Sequence, residues 1–374
     1  LGWRPVIDLI FLQRLTTNLS LPNLLNLRTK DESERTSTKE SSSTFVSSSI
    51  FVQQGHKQHI QRGRAGNPGS YIFFLIDLMS TFRAIIKTMR PKQWTKNIIV
   101  YAALIFDGKF LEPDLFLKTT ALFILFCLVS SSVYLLNDLV DIEKDRAHPL
   151  KRNRPLASGA LKPVYAVVAM VILLGVSLPI AYLLDSTAAL ILAGYFLMNV
   201  AYSFWLKNMV ILDVLTIAAG FVLRVAAGAA VVQVERFSPW LYVCITLIAL
   251  LIALGKRRAE LVSLEDGAGE HRAILDEYNV NFLDHLISLT TGATIVTYSL
   301  YTFSAQNLPE NHLMMLTIPI VIYFLFRYLY LIHVKHLGGA PDELIFKDKP
   351  LFFSAAFWGL AAMVILYFSN YHLL

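Results

Sequence analysis

The chain has 374 residues, of which 55% are hydrophobic and only 16% charged, with a formal net charge of +6. Its mean hydropathy is +0.53. A water-soluble domain carries about a quarter charged residues, so this composition excludes an ordinary soluble enzyme and points to lipid as the solvent. Two cysteines, Cys127 and Cys244, lie inside apolar stretches and read as small buried hydrophobes, not as a disulfide or metal framework.

The first 78 residues differ from the rest. Arg28 to Ser49 is rich in Ser, Thr, Lys and Glu without apolar periodicity, a composition that cannot bury enough surface to fold alone. The apolar run Tyr71 to Leu78 is too short to cross a bilayer. Residues 1–78 therefore read as a disordered tail or an over-extended reading frame, and the membrane domain as 79–374, opening at Met79.

Nine apolar blocks follow, at about 94–108, 117–138, 163–184, 187–205, 209–232, 239–255, 284–305, 313–334 and 350–370. A spanning helix needs about 20 residues, so the first block is short and reads as tilted or partly interfacial. The fourth and fifth are close enough to pack as an antiparallel pair. The fold class expected is all-α, a polytopic bundle of nine transmembrane helices. Nine crossings place Arg83 to Lys96, Lys144 to Lys162, Lys207, Lys256 to Arg258, Arg272, Lys335, Lys347 and Lys349 on one side. Only Lys109, Lys118 and Arg236 fall on the other. By the positive-inside rule the N-terminus and the basic loops are cytoplasmic. Gly220 and Gly228 give the fifth block a small-residue face suited to close helix packing.

The second block runs into Asn137-Asp138-Leu139-Val140-Asp141-Ile142-Glu143-Lys144-Asp145. On a continuous helix Asn137, Asp138, Asp141 and Asp145 fall within an arc of roughly 100°. Four oxygen-bearing side chains on one face suit Mg2+, which takes one or two carboxylates together with substrate phosphate oxygens. An ordinary solvated loop with aligned acids is the alternative. Cations come next, with Lys151, Arg152 and Arg154 in the loop that ends Arg154-Pro155-Leu156-Ala157-Ser158-Gly159. Arginine forks directly after an acidic row are what a phosphorylated substrate requires, although topology alone also collects cations there. His148 reads as a loop residue. Arg224 and Arg327 lie within apolar blocks, where a cation faces a cavity or a partner; each is either functional or one half of a structural pair.

The string from Asn137 to Asp145 resembles the NDxxDxxxD signature of the UbiA superfamily of membrane transferases. The Arg154–Gly159 ending is similar to the sequence that follows in that family. Tyr202-Ser203-Phe204-Trp205-Leu206-Lys207 resembles its later Tyr…Lys motif. The resemblance covers about residues 85 to 370. It implies a nine-helix bundle with an active-site cavity open to the cytoplasm.

Within the superfamily, Met89 to Asn97, Leu212-Asp213-Val214, Gly220 to Arg224, Leu254 to Leu261, and His271 to Leu275 followed by Tyr278 are similar to the decaprenyl-phosphate phosphoribosyltransferase branch. That branch implies transfer of 5-phosphoribose from phosphoribosyl pyrophosphate to a polyprenyl phosphate. Asn137, Asp138, Asp141 and Asp145 would hold Mg2+ and pyrophosphate. Asp138, Asp141, Asp145 and Lys207 would carry catalysis. Lys96, Asn97, Lys151, Arg152, Arg154, Tyr202, Lys256, Arg257 and Arg258 would bind phosphate or the lipid head group. The phosphate nucleophile is already anionic, so no strong base is demanded.

One departure is plain. The prenyltransferases of the family carry a second acidic cluster between the sixth and seventh spans, and here Glu260, Glu265, Asp266, Asp276, Glu277 and Asp284 are scattered. A prenyltransferase moving a prenyl group from a diphosphate to an aromatic or glycerol-phosphate acceptor is the alternative enzyme. A transporter is the non-enzymatic reading, disfavoured because the acids sit at helix ends and not at midplane. Nucleic acid is not expected as a partner, and a homo-oligomer is compatible with the sequence.

Overall fold

The computed structural model describes residues 68–149, 151–234, 238–265, 273–306, 308–309, 311–339 and 341–368. Residues 1–67, which hold most of the proposed N-terminal extension, lie outside them. The first helix, α1 (Pro68–Met89), runs across the boundary expected at Met79.

The described residues are helical throughout their regular elements. The first apolar block is not an α-helix along its length. Pro91–Tyr101 is a 3-10 helix, continued by the short α2 (Ala102–Phe106). The central element is α3 (Pro113–Val140), followed after Asp141 by α4 (Ile142–Ala147). Next come α5 (Pro163–Leu184), α6 (Ser186–Phe204) and α7 (Leu212–Val232). The remainder is α8 (Pro239–Glu265), α9 (Val280–Ser304), α10 (Ile318–His333), α11 (Pro341–Lys347) and α12 (Lys349–Phe368).

Among the described residues, seven segments are long and apolar enough to cross a membrane: α3, α5, α6, α7, most of α8, α10 with its leading turn, and most of α12. The chain is an integral membrane protein with an all-α bundle. The 25-residue α9 is long enough to span but more polar. It presents Thr290, Thr291, Thr294 and Thr297 inward, and the hydroxyls of Thr290, Thr291 and Thr294 each donate to a carbonyl of the same helix, as Thr does in apolar surroundings.

Two half-bundles share α7. In one, Leu122, Phe126, Val129 and Val133 of α3 pack with Ala188, Leu192 and Tyr195 of α6 and Ala227 and Val231 of α7. In the other, Val214 of α7 packs with Leu251 and Leu254 of α8, Leu283 and Ile287 of α9, and Leu325, Tyr328 and Leu331 of α10. The turn between α5 and α6 needs one residue. Asp185 is extended, and its carboxylate accepts the Ala188 N–H at 2.6 Å, satisfying a donor orphaned at the helix start. The expected α6–α7 packing is present. The small-residue face of α7 is used as anticipated: a Cβ on Gly228 would fall 2.2 Å from the Val100 carbonyl oxygen, so only glycine admits the 3-10 segment there.

At 28 residues α3 is about 42 Å long, well over the roughly 30 Å of a hydrocarbon core. Its last turn therefore reaches the end of the bundle. That turn carries Asn137 and Asp138.

Candidate active site

The acidic row does not stay on one helix. α3 ends at Asp141, whose backbone (φ −100°, ψ 10°) leaves the helical region before α4 begins. The break divides the four side chains into three sets of partners. Asp138, 2% exposed, accepts from Arg90 Nη2 at 2.5 Å and from Arg154 Nη1 at 3.3 Å. Asp145, also buried, receives the same Arg154 nitrogen at 2.7 Å. Asp141 lies apart from this pair, with Lys207 Nζ at 2.9 and 3.0 Å from its two oxygens. The Asn137 amide oxygen accepts from the Ser203 hydroxyl.

Three chain segments build this mouth beside α3 and α4. Arg90 closes α1 in a left-handed conformation (φ 54°, ψ 62°) just before Pro91, a position where proline already disfavours the right-handed helical region. Its guanidinium lies 5.0 Å from the Tyr134 ring centroid. Arg154 sits in the turn after α4, between the 3-10 turn at Lys151–Asn153 and buried Pro155, Leu156 and Ala157. Ser203 and Lys207 come from the end of α6 and the 3-10 turn Leu206–Asn208. Buried carboxylates are tolerated only when paired, and here each has a cation.

Among the described residues no group of three or more His, Cys, Asp or Glu is close enough to hold a metal unaided. The donor chemistry nonetheless fits Mg2+, which asks for one or two carboxylates and fills its remaining positions with water and phosphate oxygens.

The other expected site residues are distributed as follows. Lys151 is half-buried and Arg152 exposed in the loop after α4; Lys96 is half-buried on the 3-10 segment; Lys256 is exposed on α8. His148 is a loop residue, its Nδ1 accepting from the Lys151 N–H at 3.1 Å. Asn97, expected at the phosphate site, is packed in the core. It is fully buried, its carbonyl accepts from Arg224 Nε at 2.7 Å, and its NH2 group faces Cys127 and Ser130 at 3.3 Å each. It supplies one of the acceptors that the buried Arg224 guanidinium needs. The same guanidinium donates to the Gly220 carbonyl and the Tyr195 hydroxyl and stands 4.6 Å from the Tyr195 ring centroid. Arg224 is thus met by acceptors and an aromatic face inside the bundle.

Arg257 and Arg258, also expected to bind phosphate or the lipid head group, are both buried on α8. Arg257, 1% exposed, binds Asp213 Oδ2 at 2.6 Å and pairs with Glu260. Arg258 binds Asp284 at 2.5 Å and the Ile332 carbonyl at 3.2 Å. Both turn inward, since a buried guanidinium has to be met by countercharge. Two of the scattered acids, Glu260 and Asp284, are accounted for in this way. Tyr202 lies within electrostatic range of Arg257. Tyr278, in the connection between α8 and α9, donates to Asp213 Oδ1 at 2.8 Å. Burial pushes its phenol up to about 12, so it remains a neutral donor. Arg327 pairs with Asp348 at 2.8 Å and joins α10 to the start of α12.

Sequence reasoning missed Arg90 and Ser203 as partners of the acids. The signal for both was adjacency to quoted motifs: Arg90 directly precedes Pro91, and Ser203 follows Tyr202.

The UbiA prenyltransferase family model matches residues 98–337. The chain belongs to the UbiA family. Among its relatives, the decaprenyl-phosphate phosphoribosyltransferase of Mycolicibacterium smegmatis is 35% identical over 301 residues, which cover 76% of this chain and 93% of that protein. The enzyme of the same name from Corynebacterium glutamicum is 31% identical over 292 residues, covering 76% and 86%. The structure of a UbiA homologue from Archaeoglobus fulgidus bound to DMAPP and Mg2+ superposes with a TM-score of 0.59 at 17% identity, over 75% of this chain and 98% of that one. At that identity the likeness speaks for the UbiA fold alone.

Proposed function

We propose that this UbiA protein transfers 5-phosphoribose from phosphoribosyl pyrophosphate to a polyprenyl phosphate such as decaprenyl phosphate, releasing pyrophosphate. The observation that carries the reading is the mouth itself, where Asp138, Asp141 and Asp145 stand interleaved with Arg90, Arg154 and Lys207. Alternating acids and cations suit two anionic substrates. Kinship with two phosphoribosyltransferases along most of their length supports the choice of donor.

In the reaction, a phosphate oxygen of the lipid attacks the anomeric carbon of the ribose, forming the new C–O bond. The bond from that carbon to pyrophosphate breaks, and the electron pair leaves with pyrophosphate. The nucleophile is an anion already, so no residue has to remove a proton. Asn137, Asp138, Asp141 and Asp145 are the residues that would hold Mg2+, which when bound offsets pyrophosphate charge. Arg90, Arg154 and Lys207 are placed to draw the two anions together and to stabilise charge on the departing group. Lys96, Lys151, Arg152, Tyr202 and Lys256 form the outer set of phosphate contacts.

The same reading places the basic mouth in the cytoplasm of a bacterial-type plasma membrane and counts nine crossings. The more polar α9 supplies one. The 3-10 helix with α2 supplies another, since 3-10 geometry rises about 2.0 Å per residue, which takes sixteen residues to about 30 Å, the depth of the hydrocarbon core.

The test is transfer of label from phosphoribosyl pyrophosphate to polyprenyl phosphate by the purified protein in detergent with Mg2+, with Asp141→Ala as control. Labelled lipid from wild type and none from the variant is expected. If folded wild type labels no lipid but consumes a prenyl diphosphate with an aromatic acceptor, the donor assignment is wrong.

A further inference from the structure

The turn that follows Lys207 is strained. The Leu212 N–H donates to the Val210 carbonyl at 2.8 Å, closing a three-residue ring around Ile211, whose backbone lies at φ 69°, ψ −43°. This is the positive-φ form of the γ-turn, the rare and strained one. A β-branched side chain makes it worse, because Cβ crowds the backbone at positive φ. Such a conformation persists only where surrounding contacts over-determine it.

The contact that does so is Tyr278. Its hydroxyl accepts the Ile211 N–H at 2.8 Å and donates to Asp213 Oδ1 at 2.8 Å. Only a hydroxyl accepts and donates at one atom in this way. Asp213 is itself fixed, fully buried and held through Oδ2 by Arg257. The clamp is therefore anchored in α7 and α8, while the residue it grips belongs to the connection from α6. Just three residues separate Ile211 from Lys207, and the turn carrying Lys207 packs against the 3-10 turn Ala273–Glu277 that leads to Tyr278.

We propose that Tyr278 is a positioning residue for Lys207: by clamping the strained turn at Ile211 it sets the reach of the Lys207 ammonium to Asp141. Its role in turnover rests on the transfer reaction proposed above; its role in placing Lys207 does not. The unclamped chain would relax Ile211 to negative φ, and a change of that size so close to Lys207 would swing the side chain off Asp141.

Two readouts test this on Tyr278→Phe, Ile211→Gly and the double variant in detergent. The first is the rate at which an amine-acylating reagent modifies Lys207, followed by peptide mass spectrometry. The second is kcat for labelled phosphoribosyl transfer. Tyr278→Phe is expected to speed acylation of Lys207 severalfold and to lower kcat tenfold or more. Ile211→Gly stays near wild type in both. The double variant returns most of the way, because glycine adopts the turn without a clamp. Unchanged acylation in Tyr278→Phe overturns the proposal, and so does a change that Ile211→Gly fails to reverse. A wild-type protein with no transfer activity refutes the proposed reaction, while the acylation rates still decide the clamp.

Discussion

Asp138 and Asp145 are joined through one nitrogen, Arg154 Nη1, 3.3 Å from the first carboxylate and 2.7 Å from the second. Both carboxylates are nearly inaccessible, at 2% and 4% exposure, so the cation between them is the condition for their sharing the site. Arg154→Ala is expected to cost about 3 kcal/mol, the low end for stripping a buried charge of its partner. Arg154→Lys should fall between, since a point charge replaces a planar fork. Thermal melts in detergent decide it; an unchanged melting temperature in the alanine variant would show that the pair is dispensable to the fold.

Lys207 and Asp141 are expected to act as a unit. Lys207→Met and Asp141→Asn should each lower kcat/KM for phosphoribosyl transfer by about 10²–10³. The double variant should be little worse than either alone, as for residues serving one step. Multiplying losses in the double variant would mean independent roles.

Asn97 and the donor should be uncoupled. Asn97→Ala removes the acceptor of a buried guanidinium and is expected to lower stability by about 1–3 kcal/mol. The KM for phosphoribosyl pyrophosphate should stay within about twofold. A tenfold rise in KM at unchanged melting temperature would place Asn97 at the phosphate site.

Two glycines separate packing from propensity. Gly228→Ala drives a methyl onto the Val100 carbonyl, whereas a Cβ at Gly194 meets nothing within 4 Å. The first substitution should destabilise by about 1–3 kcal/mol and the second should be neutral or slightly stabilising. Equal melting temperatures for the two variants would contradict the close approach.

The Arg327–Asp348 pair should give the stability of the α10–α12 corner an acid-side pH dependence. The hydrogen bond from Arg327 holds the Asp348 carboxyl below its usual range. A depressed carboxylate stabilises fully above its unfolded pKa of about 3.9 and loses that contribution as pH falls through the lower folded value. Asp348 also accepts the Leu351 N–H at 2.9 Å, a bond that asparagine can keep. Asp348→Asn should therefore melt below wild type at pH 7 and approach it below about pH 4. A gap independent of pH would show that the carboxylate charge is not its source.

The apolar blocks, the charge imbalance between loops, the Asn137–Asp145 motif and the family were legible from the chain alone. These are properties of local sequence: a bilayer demands about 20 apolar residues in a row, and a metal-phosphate motif demands oxygen donors at short spacing. Reading the acids as one arc of one helix assumed an unbroken α3, whereas the helix ends at Asp141 and its acids go to different cations. The fate of the cations was likewise hidden. Arg154 and Arg257 look alike in sequence, yet one stands among the acids of the mouth and the other is buried against Asp213. Countercharge decides between them, and the Asp213 that meets Arg257 lies 44 positions away in the chain. Arg90, 48 positions from Asp138, Lys207, 66 from Asp141, and Tyr278, 67 from Ile211, meet their partners only when the helices pack. Tertiary structure settled which charges pair, because burial makes an unpaired charge too costly to keep.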